Sequence, residues 1–138
     1  MGPDIVTGKE RSARGFTLIE LIVVMTILVT LATIGLVQYR QSIVFARESV
    51  LKDDLFKMKE AIDQYYADKN KYPADLPALV GDKYIRAVPV DPFTQSTETW
   101  QTVTSDPDPL NPNAAPGISD VKSGSENNAI DGTKYADW

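Results

Sequence analysis

The pattern of apolar and polar positions divides the chain into three stretches of different character. Residues 16–37 are apolar on every side of a helix, rich in Leu, Ile, Val and Thr, with Glu20 as the one charged residue. A run of that length spans the hydrocarbon core of a bilayer as a helix. From Gln38 the pattern changes period rather than ending. Val44, Leu51, Leu55, Met58, Ile62 and Tyr65 recur at spacings of three, four and seven, while Lys52, Asp53, Lys57, Lys59, Glu60 and Asp63 fill the opposite side. That is the stripe of an amphipathic helix. No proline interrupts residues 16–71, so the two patterns predict one helix from about Phe16 to about Asp68, closed by Tyr72-Pro73. Its first half has no apolar partner within its own turn structure. It must be buried in lipid or among other helices of the same kind.

Beyond Pro73 the signals shorten. Leu76 to Val80, with Pro77 near the start and Gly81 after the end, predicts one helical turn. The prolines at 89, 92, 107, 109, 112 and 116 restrict regular structure, leaving short strands at 99–103 and 117–122. These pair as a small antiparallel sheet against the helix stripe. The organisation read from the sequence is therefore a basic leader at 1–15, an apolar helix at 16–37, its amphipathic continuation at 38–71, and a small globular region at 72–138. The fold class is α+β.

Charge and composition narrow the function. The chain has 138 residues, a net charge of −5, no cysteine and no histidine. Disulfides and thiol chemistry are excluded, and so are the commonest general base and the usual zinc ligand. Lys9, Arg11 and Arg14 outnumber Asp4 and Glu10 by one, so removal of residues 1–15 takes the net charge from −5 to −6. An acidic product of this kind has no footprint for nucleic acid. The basic leader favours a cytoplasmic start with the remainder across the membrane. A secretory signal peptide is cut after its apolar region, but here the run is too long for that and the candidate cut precedes it. No phosphate loop, metalloprotease motif or nucleophile elbow is present. Asp106, Asp108 and Asp120 lie among prolines and read as turn formers.

Arg14-Gly15-Phe16-Thr17-Leu18-Ile19-Glu20 resembles the processing and assembly site of type IV pilin-like proteins, which include the type IV pilins and the pseudopilins of type II secretion. The resemblance implies a fold with a long N-terminal helix packed on a small C-terminal sheet. It implies cleavage by a prepilin peptidase between Gly15 and Phe16, leaving N-methylphenylalanine at Phe16. It implies that Glu20 pairs with the N-terminal amine of a neighbouring subunit, or with its own. Residue chemistry agrees, since positions i and i+4 share a helix face and a lone carboxylate in hydrocarbon is costly.

Two further segments resemble the major pseudopilin of type II secretion. One is Tyr65-Tyr66-Ala67-Asp68 running to Tyr72-Pro73. The other is Val88-Pro89-Val90-Asp91-Pro92-Phe93, with phenylalanine where that family has tryptophan. Tyr65, Tyr72 and Phe93 are expected to pack between helix and loop. In the tail, Asp120-Val121-Lys122-Ser123 and the terminal Asp137-Trp138 fit the same family, many of whose members hold calcium in the intervening loop. The resemblance thus implies a calcium ion on Glu126 and Asp131, with the Ser123 carbonyl as a further ligand. The usual G-A-D-G with following glycines is replaced here by Gly124-Ser125-Glu126-Asn127, however, and the loop is shorter. The residues alone read as an acidic solvated loop with turns at Asn128 and Gly132. Trp138 is expected to pack the tail onto the domain.

By resemblance the chain is a structural, non-enzymatic subunit of a homo-oligomeric helical filament, the type II secretion pseudopilus. Its partners are other pilin-like subunits, the prepilin peptidase and an inner-membrane assembly platform. It is placed as a single-pass inner-membrane protein with a periplasmic C-terminal region. Later it enters a periplasmic or surface filament of a Gram-negative-type envelope. A type IV pilin of a surface fibre and a membrane-tethered binding module are the alternatives.

Overall fold

The computed structural model describes residues 1–3, 14–107, 109 and 111–138. The leader charges Asp4, Lys9, Glu10 and Arg11, and Asp108 farther on, lie outside the described residues. The chain divides into two compact units, Met1–Tyr39 and Arg40–Trp138. The helix α1 (Leu18–Lys69, 52 residues) contributes to both.

In the first unit α1 is exposed along its whole course. Thr17 caps its start: its Oγ1 accepts from the Glu20 N–H at 3.2 Å and its carbonyl from the Leu21 N–H at 3.2 Å. The threonines within the apolar run turn inward. Thr26 donates to the Ile22 carbonyl, Thr30 to Ile27 and Thr33 to Val29, each at 2.8 Å. Their hydroxyls are thereby satisfied within the helix, as an apolar surrounding requires.

In the second unit the expected stripe is the core. Leu51, Met58 and Ile62 are fully buried and Leu55 and Tyr65 nearly so, while Val44 is half-buried. The helix ends where Asn70 takes a left-handed conformation (φ 52°), its N–H still reaching the Tyr66 carbonyl at 2.8 Å. The chain then turns at Tyr72-Pro73. The short helix α2 (Leu76–Gly81) is capped by Asp75, whose carboxylate accepts from the Ala78 N–H at 2.8 Å, and it buries Leu76 and Leu79.

Strands β1 (Gln101–Thr104) and β2 (Ile118–Lys122) form the antiparallel pair, with Gln101 opposite Lys122, Val103 opposite Asp120 and an irregularity between Val103 and Thr104. β2 buries Ile118 and Val121 in the same core as the stripe of α1, and β1 is exposed throughout. Trp100, just before β1, is buried and donates its indole N–H to the Pro89 carbonyl at 2.8 Å. The expected aromatic contacts form: Tyr65 lies against Tyr84, Tyr72 stacks on Tyr66, and Phe93 stacks on Tyr135 with ring centroids 4.0 Å apart.

Gly124, after β2, is required by close approach. A Cβ there would overlap the carbonyl oxygen of Thr99, which is backbone and cannot swing away. Gly124→Ala is expected to destabilise the protein by about 1–3 kcal/mol, read as a lowered melting temperature. Gly81→Ala, where a Cβ meets open space, is the matched control and should change little.

Candidate processing and assembly site

The residues singled out in the sequence lie at the start of α1. Arg14, Gly15 and Phe16 precede the helix in an exposed, non-helical segment, which is the form a peptidase needs. Gly15 has nothing within 4 Å of a Cβ built on it and is not among the positive-φ glycines. The fold therefore gives no reason for glycine at that position, unlike Gly124.

Glu20 sits in the first turn of α1 and is exposed. Thr17 and Glu20 have the spacing of a capping box, whose hydroxyl half is formed here. An acid in the first turn also faces the positive end of the helix dipole. Among the described residues no ion pair involves Glu20. The carboxylate is thus presented on an apolar helix face four residues after Phe16. The helix beyond is long and apolar enough to cross a membrane, and its apolar part is unburied.

Residues 11–36 match the family model of the prokaryotic N-terminal methylation motif. Over 126 residues the chain is 32% identical to type II secretion system core protein G of Pectobacterium carotovorum subsp. carotovorum, covering 78% of this chain and 81% of that protein. It is 34% identical over 101 residues to the Pseudomonas aeruginosa protein of the same name, covering 62% of this chain and 71% of that one. The chain belongs to the type II secretion core protein G family. Fimbrial protein EcpC of Eikenella corrodens is 37% identical over 82 residues, a match to 56% of this chain and 54% of that protein. No solved structure matches the chain significantly. Membership in this pilin-like family fits the observed α+β architecture of one long N-terminal helix and a two-stranded antiparallel sheet.

The second unit carries polar groups that sequence reasoning passed over. Glu48 occupies a place on the apolar stripe, between Val44 and Leu51, and is buried at 7% exposure. Its Oε1 accepts from the Tyr135 hydroxyl and from the Ile130 N–H, both at 2.8 Å. Burial, with the hydrogen bond and charge of Glu48, pushes the Tyr135 hydroxyl up to about 12, so it remains a donor at neutral pH. Asp91 is fully buried. Its Oδ1 accepts from the N–H groups of Phe93 (2.8 Å) and Thr94 (3.3 Å), and its Oδ2 from the Ser123 hydroxyl at 2.6 Å. The signal for Glu48 was present: a polar residue at a stripe position, four after Val44 and three before Leu51.

Glu126 and Asp131, the candidate calcium ligands, are both exposed. Asp131 Oδ1 already accepts from the Thr133 N–H (2.9 Å) and hydroxyl (2.6 Å), and these bonds hold its carboxyl below the usual carboxylate range. Among the described residues no three His, Cys, Asp or Glu side chains gather closely enough to hold a metal ion. Trp138 packs edge-on to Tyr135, donates to the Thr133 hydroxyl at 2.8 Å and lies under the Lys52 ammonium.

Proposed function

We propose that the chain is a structural subunit of the type II secretion pseudopilus, a fibre of many copies that helps export folded proteins. The observation that carries this reading is the apolar, exposed first part of α1 with a single acid, Glu20, four residues after a Gly15-Phe16 junction. Cleavage at that junction by a prepilin peptidase turns Phe16 into an N-terminal cation two residues ahead of α1 and four before Glu20. Before cleavage the carboxylate has no such partner. After it, the amine of a neighbouring copy, or its own, offsets the cost of holding the charge among apolar helices. Maturation is in this way coupled to assembly. The basic leader keeps the start on the cytoplasmic side of the inner membrane, and the second unit faces the periplasm. Other pilin-like subunits and an inner-membrane platform complete the assembly, and the subunit itself supports no chemistry.

The match to a fimbrial protein favours a second reading, a type IV pilin of a surface fibre. Deleting the gene separates the two. The pseudopilus reading expects loss of protein export with surface fibres intact. Unaltered export together with missing surface fibres would select the pilus.

A further inference from the structure

We propose that the carboxylates of Glu48 and Asp91 fasten the C-terminal segment 123–135 without a metal ion, by occupying as hydrogen-bond acceptors the role a divalent cation would fill. The inference goes beyond the filament reading and does not depend on it.

Both acids are buried, and both reach the segment from elsewhere in the second unit. Glu48, on α1, takes the Ile130 N–H and the Tyr135 hydroxyl, each at 2.8 Å. Asp91, in the loop before Trp100, takes the Ser123 hydroxyl at 2.6 Å, and Ser123 Oγ in turn accepts the Ser125 N–H at 3.1 Å. The segment is therefore gripped at both ends. The grips are joined, because Phe93, two residues after Asp91, stacks on the ring of Tyr135. Between them the segment closes on itself. The Ala129 N–H donates to the Thr133 carbonyl at 2.7 Å and the Tyr135 N–H to the Asn127 carbonyl at 3.2 Å.

Calcium in such a loop needs six to eight oxygens, several of them carboxylate. Of the buried carboxylate oxygens that reach this segment, Glu48 Oε1 already accepts two donors and Asp91 Oδ2 one. A cation at those atoms would compete with these donors, and a donor left unsatisfied in the interior is costly. Of the acids within the segment, Asp131 spends an oxygen on Thr133 and Glu126 stands exposed. The donor set therefore fits an ion poorly and fits the observed bonds well.

The test uses the full chain in detergent micelles. Thermal unfolding and limited proteolysis of the tail are compared in excess EDTA and in millimolar calcium. The wild type should melt at the same temperature and resist protease equally in both. Glu48→Ala should open the tail to cleavage about tenfold faster or more, in EDTA and calcium alike. Tyr135→Phe, which keeps the ring and removes one donor, should shift cleavage in the same direction by less, and it serves if Glu48→Ala does not fold. A melting temperature that falls in EDTA or rises with calcium would overturn the proposal. So would wild-type protection in both variants.

Discussion

Glu20→Ala is expected to be inserted into the membrane, and to be processed, as well as the wild type, yet to leave almost no sedimentable fibre. Alanine is more compatible with hydrocarbon than a carboxylate, so insertion is not impeded. What disappears is the acceptor for the amine at Phe16. Each subunit would then carry an uncompensated cation into a bundle of apolar helices. Breaking one partner of a desolvated pair is strongly unfavourable, and subunit association should fall by roughly two orders of magnitude or more. Glu20→Gln keeps the hydrogen-bonding shape but not the charge, and belongs on the same side of the comparison. The readout is the ratio of sheared, pelleted chain to total membrane chain on immunoblots. A tethered binding module or anchored hydrolase has no use for this charge, and its function would survive the change. Fibre at the wild-type level in the alanine variant would remove Glu20 from assembly.

Gly15→Val should hold the chain as an uncut precursor. The segment around Gly15 is exposed and free of neighbours, so valine creates no clash within the protein and the second unit should melt as before. A side chain beside the scissile bond instead displaces that bond in the peptidase, and a misplacement of about 1 Å costs about a hundredfold in rate. The variant would migrate on gels at the precursor size. Because the amine at Phe16 never appears, assembly should stop with it. Normal maturation of Gly15→Val would show that glycine is not read at the cut.

The contrast between the glycines shows what a sequence carries and what it does not. Gly15 stands out in the sequence because its neighbours form a heptapeptide pattern that needs no three-dimensional context. The helix was legible for the same kind of reason. Apolar residues at consistent spacing and the absence of proline up to Pro73 set its period, and the structure ends it at Lys69 beside a left-handed Asn70. Both short strands emerged within two residues of their expected positions, bounded by prolines. The need for glycine at 124 was hidden, since it arises from the Thr99 carbonyl on the adjoining chain segment. Glu48 was half legible: its stripe position marks it for burial, but its partner Tyr135 lies 87 positions away. Asp91 stands out in the sequence only as part of the Val88–Phe93 segment, and the approach of Ser123, 32 positions on, makes it a clasp. Periodic and contiguous signals survive in one dimension; pairings across long separations do not.

In the proposed function the mature protein begins at Phe16 and keeps the apolar helix that follows it. Intact-mass measurement of the chain isolated from its native membrane tests this most directly. The predicted mass is that of residues 16–138 plus one methyl group, with the methyl located on the Phe16 amine by fragmentation. A mature chain beginning after residue 37, without the apolar helix, would contradict it.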